Sequence, residues 1–314
     1  MKKVLKIVGR VVLGIIILLV SFLFIIKIQN HIAMSKEKEL LENHPGVSVE
    51  VDGHNMNLHI EGEGERTIVF LSGWKTPSPI YDFKPLYSKL SDEYRCVVIE
   101  RFGYGFSDEI EGERDFDTIL RQDREALKKA GIEGPYVLCA HSLSGLEVTL
   151  WAQKYPDEVE AIIGLDMTLS EAINLEEAEK SFAISNITGK VGRFWGINRL
   201  LMNIAEFDGL TDEEIEMYIA VGCKNLGNDT ACNESEGIAK VVQQIETAQL
   251  PSVPTIQYVS GVNRSNELWV NAHRKYVEAS SKGQYIQLDH GHAVYQYEPK
   301  RIATDIKKFM EEID

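Results

Sequence analysis

One serine in this 314-residue chain stands in a setting that suits a catalytic nucleophile. Ser142 lies within residues 140–145, which read Ala-His-Ser-Leu-Ser-Gly and connect an apolar run to a helix-like run. A serine at a sharp turn from strand to helix needs small residues two positions before and after it, because the strained backbone would otherwise clash with its neighbours. Ala140 and Ser144 meet that need. A serine that only caps a helix would also fit this short pattern.

A histidine near the C-terminus is expected to serve as the base in such chemistry. Acyl transfer by a serine needs a base that removes the hydroxyl proton, an acid that orients the base, and N–H donors that hold the oxyanion. Residues 289–292 read Asp-His-Gly-His and follow the last predicted strand. We favour His292 as the base because it follows a glycine and precedes the closing helix, and we keep His290 as the alternative.

The acid is expected at Asp166, which ends the predicted strand after the serine. At that position its side chain would lie near the carboxyl edge of the sheet. The loop after residues 255–259 is the other possible source, but it contains no aspartate, and its first carboxylate is Glu267. Asp166 could instead be an ordinary helix cap or loop carboxylate. Glu267 is then the next candidate for the acid.

Two backbone N–H groups are expected to bind the oxyanion. The first belongs to Leu143, since the turn after the serine aims this N–H at the place where negative charge develops. The second belongs to Trp74, in the sequence Ser72-Gly73-Trp74 that follows the apolar run 67–71. The glycine permits a tight bend, although Trp74 could equally be a packing aromatic.

The elements that would position these residues alternate between strands and helices. Strands are predicted over residues 47–51, 56–60, 67–71, 96–99, 137–140, 159–165, 255–259 and 284–288, and helices over 80–90, 116–130, 143–155 and 299–313. Asp52-Gly53 predicts a hairpin turn between the first two strands. This alternation predicts an α/β fold with a mainly parallel sheet that helices cover on both faces.

Residues 168–250 interrupt the alternation with helices alone. Four are predicted, over residues 175–183, 199–205, 212–221 and 235–248. A helical insertion between two strands of one sheet would form a cap over the carboxyl ends of the strands. We therefore expect a core made of residues 47–167 and 251–314, with a helical cap at residues 168–250.

The first 30 residues predict a membrane anchor. A basic leader precedes the uncharged run 11–26, and residues 11–28 come close to the ~20 that span the hydrocarbon core of a bilayer. This charge pattern favours a single-pass transmembrane helix with its N-terminus in the cytoplasm and the body outside it. A cleaved signal peptide is the competing interpretation, with residues 33–35 as a weak cleavage site. The charged residues 31–46 are expected to be a linker.

The charge balance and the cysteines exclude other classes of function. The first 30 residues hold five of the 33 Lys and Arg side chains and none of the 48 Asp and Glu side chains, so the remainder is strongly acidic. Nucleic-acid binding needs a basic surface and is not expected. Cys223 and Cys232 could form a disulfide outside the cytoplasm, but the four cysteines provide no convincing zinc site. No cofactor and no metal are expected.

Taken together, these segments resemble the α/β-hydrolase superfamily, in its capped serine hydrolase branch. The resemblance covers residues 47–313. The segments that carry it are 72–74, Arg-Phe-Gly-Tyr-Gly-Phe-Ser at 101–107, the turn at 140–145, residues 154–159, and Gly291-His292 followed by Pro299. The resemblance implies a sheet of eight strands, a cap after the sixth strand, and catalysis by a serine, a histidine and an acid.

Three departures from the usual family pattern mark this sequence. Ser72 replaces the usual histidine, and Ala140 and Ser144 replace glycines. Arg264 stands where many members place the catalytic aspartate. The resemblance implies that Asp166 matches the position after the sixth strand, which some members use for the acid.

These residues predict a membrane-anchored serine hydrolase that cleaves an ester or similar acyl bond through an acyl-enzyme. The expected substrate is a small-molecule or lipid-like acyl compound. A prolyl-type aminopeptidase on the same fold is the alternative enzyme, since capped members do this and acidic residues near the start of the cap could attract a free amine. A non-catalytic, anchored binding module is the alternative of another class.

Overall fold

Eight strands form a single sheet at the centre of the molecule, as predicted. The computed structural model describes residues 2–202 and 209–313, and the fold is given for those residues. The strands are β1 (Val47–Val51), β2 (His54–Glu61), β3 (Thr67–Leu71), β4 (Arg95–Glu100), β5 (Tyr136–His141), β6 (Val159–Leu165), β7 (Thr255–Val259) and β8 (Gly283–Gln287). Their order across the sheet is β1-β2-β4-β3-β5-β6-β7-β8.

The sheet is mainly parallel, which confirms the predicted fold class. β1 and β2 form an antiparallel hairpin and β2 pairs antiparallel with β4, whereas the pairs from β4 through β3, β5, β6 and β7 to β8 are parallel. Asp52 and Gly53 make the hairpin turn with φ values of 52° and 80°, in the left-handed region that glycine favours. The parallel order brings the carboxyl ends of β3, β5, β6 and β8 to one edge of the sheet.

Helices cover both faces of this sheet. In residues 2–202 and 209–313 the helices of the molecule are α1 (Lys2–Glu42), α2 (Pro79–Tyr87), α3 (Phe116–Lys129), α4 (Ser144–Lys154), α5 (Leu175–Trp195), α6 (Ile197–Met202), α7 (Asp212–Asn225), α8 (Asp229–Asn233), α9 (Ile238–Glu246), α10 (Glu267–Ala279), α11 (Val294–Tyr297) and α12 (Pro299–Glu312), and those that cover the sheet include α3 and α4 on one face and α2 and α12 on the other. Along β3, Val69 and Leu71 join the apolar core under α3 and α4, and Ile68 and Phe70 join the core under α2 and α12. This alternation is what a strand buried on both faces requires.

The helices between β6 and β7 form the inserted cap. In the described part of the chain these are α5 to α9, and they follow the sixth strand as predicted. Helix α5 is much longer than the predicted 175–183. Glycine often ends a helix, but Gly189 and Gly192 lie inside α5, where they allow neighbouring segments of the cap to pack closely. A β-carbon on Gly192 would lie 2.3 Å from the Asn198 side chain. The predicted helix 199–205 corresponds to α6, and residues 203–205 lie outside the described residues.

Helix α1 differs from its prediction. It runs without interruption from Lys2 to Glu42, so most of the predicted linker at residues 31–46 is helical. Residues 31–42 contain neither proline nor glycine, and the helix therefore continues until just before Pro45. Of the helices in residues 2–202 and 209–313, α1 is the one that is long and apolar enough to cross a membrane. The division into anchor, linker, core and cap stays a prediction.

All four cysteines are buried, free thiols. Cys96 and Cys139 lie within β4 and β5. Cys223 on α7 and Cys232 on α8 are not bonded to each other, so the disulfide that their spacing allowed is not formed. Burial raises the pKa of the Cys223 thiol to about 11, which keeps it protonated.

Candidate active site

Ser142 occupies a strained turn between β5 and α4. Its φ is 53°, in the left-handed region that residues other than glycine, asparagine and aspartate rarely adopt. The turn is held by the Thr168 backbone N–H, which donates to the Ser142 carbonyl at 2.7 Å. A β-carbon on Gly145 would lie 2.4 Å from the Thr168 carbonyl oxygen, so this position requires glycine. The residues after β6 therefore press directly against the turn.

Ser144 shows why a serine can replace the usual glycine here. Its side chain is buried, and its hydroxyl donates to the Leu71 carbonyl at 2.7 Å with the His141 carbonyl 2.9 Å away. The hydroxyl thus ties the turn to the end of β3, where the predicted oxyanion loop begins. Ala140, the other departure, is fully buried within β5.

Asp166 follows β6 and is fully buried. Its carboxylate accepts four hydrogen bonds. Oδ1 accepts from the Ser260 backbone N–H at 3.1 Å and from Trp269 Nε1 at 2.8 Å. Oδ2 accepts from Asn263 Nδ2 at 2.8 Å and lies 2.6 Å from His292 Nδ1. Asp166 also has a strained φ of 49°.

These contacts keep the Asp166 carboxylate charged despite its burial. Burial raises the pKa of this group, but the hydrogen bonds from His292 and Ser260 outweigh that effect and leave the pKa below its ordinary value. A charged carboxylate can only accept hydrogen bonds. The Nδ1 atom of His292 must therefore carry its proton, which leaves Nε2 as the free basic nitrogen.

The structure places the two C-terminal histidines in different surroundings. His292 contacts Asp166 and keeps 40% of its side chain exposed. His290 instead lies 3.2 Å from Glu298 and stacks on Tyr297, with ring centroids 5.5 Å apart. Of the two candidates for the base, His292 is the one beside the predicted acid.

The loop after β7 supplies hydrogen-bond donors to Asp166 and no acid of its own. Asn263 from this loop and Trp269 from α10 both bind the carboxylate. Arg264, where many relatives place the acid, points elsewhere and pairs with Asp289 at 2.6 Å. Glu267, the alternative acid, lies exposed at the first position of α10.

The loop after β3 lies against the turn that carries Ser142. A β-carbon on Gly73 would approach the Ser142 β-carbon to 2.9 Å, so only glycine allows this closeness. Within residues 2–202 and 209–313, the backbone N–H groups of Trp74 and Leu143 have no hydrogen-bond acceptor. Both groups are therefore free to bind an oxyanion beside the serine.

The cap holds this loop in place. The indole Nε1 of Trp74 donates to the Ala231 carbonyl at 2.7 Å, and its ring packs edge-on against Phe182 of α5 at 4.4 Å. The next backbone N–H, that of Lys75, donates to the Tyr104 hydroxyl at 3.0 Å. The predicted packing role of Trp74 and its predicted backbone role are thus compatible.

Arg101 is a buried residue that holds segments of the site together, a role that the sequence does not predict. Its guanidinium donates to Glu147 at 2.9 Å and to the Ser72 carbonyl at 3.0 Å. A second carboxylate, that of Glu234 in the cap, lies 3.7 Å away. This cation therefore joins the start of the loop after β3 to α4 and to the cap. The only sequence signal was its place in the 101–107 motif.

His141 is the second residue that was missed. It is buried directly before Ser142, with its ring 4.7 Å from that of His292 and 5.0 Å from that of Tyr295. Among the residues that the structure describes, neither ring nitrogen makes a hydrogen bond of ordinary geometry. Burial, and then repulsion from His292, lower the pKa of His141 to about 3, so it is neutral. A neutral neighbour avoids a second positive charge beside His292, the candidate base.

Two cavities flank Trp74. One of about 390 Å³ is lined by Trp74, Lys75, His141, Ala293 and Tyr295 among others. The other, of about 360 Å³, lies between α5 and α9 and is lined by residues that include Phe182 and Ile238. Both are large enough for part of a small organic substrate. In the described residues, no group of three or more His, Cys, Asp or Glu side chains could hold a metal ion.

Comparison with known proteins agrees with this architecture. Residues 66–185 match the family model of the alpha/beta hydrolase fold. The uncharacterized protein YbdG of Bacillus subtilis is 35% identical over an alignment of 331 positions, which covers 99% of this chain and 98% of that protein. The pimeloyl-[acyl-carrier protein] methyl ester esterase of Shewanella woodyi is 34% identical over 110 residues, 34% of this chain and 38% of that enzyme.

A solved structure with the same fold is that of a thermophilic esterase from Thermogutta terrifontis with malate bound. It superposes with a TM-score of 0.67 at 18% identity, over 86% of this chain and 99% of the esterase. The eight-stranded sheet, the cap after the sixth strand and the family match lead to one conclusion. This chain belongs to the alpha/beta hydrolase family.

Proposed function

We propose that this protein is a membrane-anchored serine hydrolase that cleaves an ester or similar acyl bond. Family membership and a relative that is a methyl ester esterase support hydrolase activity. The observation that carries the finer proposal is the 2.6 Å contact between Asp166 and His292, whose ring lies 4.7 Å from that of His141, the residue before the serine on the strained turn. This is the set of groups that nucleophilic acyl transfer requires.

In the proposed mechanism the Ser142 hydroxyl attacks the carbonyl carbon of the ester. Nε2 of His292 takes the hydroxyl proton, and Asp166 stabilises the resulting imidazolium. The N–H groups of Trp74 and Leu143 hold the oxyanion of the tetrahedral intermediate. His292 then gives the proton to the leaving alcohol, and an acyl-enzyme remains on Ser142. Water, activated by the same histidine, releases the acid and restores the serine.

The nucleophile type supports a serine hydrolase over other reactions on this fold. An epoxide hydrolase or a haloalkane dehalogenase would need a carboxylate where Ser142 stands. A prolyl-type aminopeptidase uses the same catalytic groups, so comparing p-nitrophenyl esters with prolyl amides as substrates separates the two enzymes.

Membrane anchoring is supported by the exposure of α1. Its most apolar stretch has only 6% of its residues buried, whereas a core helix of a soluble protein would bury most of them. Four positive residues, Lys2, Lys3, Lys6 and Arg10, precede this stretch, which favours a cytoplasmic N-terminus and a body outside the cytoplasm. The weak signal-peptidase site at residues 33–35 lies inside the helix, between Asn30 and Glu37, which both bind Arg199 of the cap.

The test is labelling of the full-length chain in detergent with a fluorophosphonate, which reacts with activated serines. Wild type should label, and Ser142→Ala, His292→Ala and Asp166→Asn should lose nearly all labelling. His290→Ala is the matched control and should label like wild type, because His290 contacts Glu298 and Tyr297 instead of Asp166. If folded wild type does not label, the non-catalytic binding module becomes the better interpretation.

A further inference from the structure

The outward face of the cap carries an apolar stripe. Four side chains of α5 recur at intervals of three and four residues, which places them on one face of the helix. They are strongly exposed: Ile184 65%, Ile187 63%, Val191 47% and Phe194 59%. Leu200 and Leu201 of α6 are exposed by 42% and 59%. We call these six residues the cap stripe. A contiguous exposed apolar surface of this kind is typical of an interaction site.

The cap stripe adjoins the apolar part of α1. Phe24 packs edge-on against Trp195 at the end of α5, with ring centroids 5.5 Å apart. The Lys27 ammonium lies 3.4 Å from the centroid of the Phe194 ring. Ile26, between these two α1 residues, is buried, although most of the preceding helix is exposed. The cap therefore touches α1 at the C-terminal end of its apolar run.

The position of these contacts sets the height of the cap relative to a bilayer. A span of ~20 residues that begins after Arg10 ends near Asn30. Phe24 then lies inside the apolar segment, about four helical turns from Arg10. Because Trp195 packs on Phe24, the end of α5 must lie at the level of the lipid headgroups or just below it. Tryptophan beside lysine is the usual composition at that level.

Polar contacts fix the cap to α1 beyond the apolar run. Both terminal nitrogens of Arg199 donate to the Glu37 carboxylate at 2.7 Å, and its Nε donates to Asn30 Oδ1 at 2.8 Å. A β-carbon on Gly196 would lie 2.5 Å from the Asn30 β-carbon, so the two helices touch closely at this point. The arrangement leaves the cap little freedom to turn its stripe away from the membrane.

We propose that the cap stripe docks on the surface of the bilayer that α1 spans. This inference rests on the proposed anchoring of α1 and assigns a second, peripheral contact with lipid to the same protein. The opposite face of α5 carries Phe182, which lines the cavity of about 360 Å³ and packs on Trp74. Helix α5 thus separates the lipid from the cavity beside the candidate oxyanion loop, a placement that suits an acyl substrate drawn from the membrane.

The test places an environment-sensitive fluorophore on the cap stripe. The full-length chain carries Ile187→Cys or Val191→Cys, is labelled with a cysteine-reactive nitrobenzoxadiazole and is held in nanodiscs of phosphatidylcholine and phosphatidylglycerol. Lys128→Cys on α3 is the matched control, since it is exposed on a core helix. The natural cysteines are buried, and the unsubstituted chain measures their background labelling.

Docking predicts blue-shifted emission at positions 187 and 191, with at least twofold quenching by phospholipids that carry a nitroxide near the headgroup, and neither effect at position 128. Emission at 187 and 191 that matches position 128 would overturn the proposal. A blue shift without lipid quenching would also overturn it, because a second copy of the chain would then cover the stripe.

The readout does not involve hydrolysis, so it stands whether or not Ser142 reacts with a fluorophosphonate. Loss of the chain from the nanodiscs would show that the anchoring itself, and with it the docking, is wrong.

Discussion

Replacing Asp166 with asparagine tests the proposed triad most directly, because the surroundings dictate how the new amide must lie. One carboxylate oxygen receives the Ser260 N–H and the Trp269 indole N–H, which are donors and cannot accept. The amide oxygen of the variant must therefore take this position. Its NH₂ group then faces Asn263 and His292.

Both of those residues can adapt to a donor. Asn263 can rotate its amide to present oxygen, and His292 can move its proton from Nδ1 to Nε2. The second change is the harmful one, because Nε2 then carries a proton and cannot accept one from Ser142. A histidine held in the wrong tautomer lowers the rate of acyl transfer by ~10⁴-fold. The fold should be retained, because each hydrogen bond to the side chain at position 166 can be replaced.

The assay is the second-order rate of fluorophosphonate labelling, with the melting temperature measured in parallel. Glu267→Gln is the matched control and should label at the rate of wild type, since this carboxylate is exposed at the start of α10. A folded Asp166→Asn protein that labels within ~3-fold of wild type would refute the tautomer argument. A loss confined to Glu267→Gln would move the acid to α10.

Three further outcomes are expected. Gly73→Ala should slow labelling by at least ~10-fold with little change in melting temperature, because its methyl group would lie 2.9 Å from the Ser142 β-carbon and displace the loop that carries the proposed oxyanion donor. Arg101→Met should lower the free energy of unfolding by ~3–5 kcal/mol, since it leaves Glu147 buried without its cation, whereas the exposed Arg264→Met should change it little. Burial raises the pKa of Asp82 to about 6, although hydrogen bonds from two tyrosines and a glutamine lower it in part. Between these two pKa values the folded state keeps a proton on Asp82 that the unfolded state has lost. The free energy of unfolding should therefore fall by ~3 kcal/mol as pH rises from about 4 to about 6. Asp82→Asn should remove this pH dependence in denaturant titrations.

The sheet and the order of its elements could be predicted from the sequence because they depend on local patterns. Apolar runs of five to seven residues mark β3, β6 and β7, whose bounds agree with the prediction. The choice of Asp166 over the loop after β7 also came from the sequence, since that loop lacks an aspartate. The structure places Asp166 and His292 together, and their catalytic roles stay a prediction.

The supports of the site could not be predicted, because they depend on contacts between distant segments. Asn263 and Trp269 bind a carboxylate that lies about a hundred residues earlier in the chain, and no local pattern marks them. His141 reads as the last residue of a strand, and only packing against His292 and Tyr295 shows its burial. The predicted linker at residues 31–46 rests on its charge, but charged residues are good helix formers, and α1 therefore extends through most of it.

The unbroken course of α1 has a mechanical consequence. A flexible linker over residues 31–46 would have a root-mean-square end-to-end distance of roughly 20 Å, and the body would rotate independently of the proposed anchor. A continuous helix that is also hydrogen-bonded to Arg199 would transmit the tilt of the proposed anchor to the body directly. Under the proposed anchoring, the distance of the body from the membrane is then a fixed length set by the helix, and the body reaches its substrate by diffusion in two dimensions along the membrane.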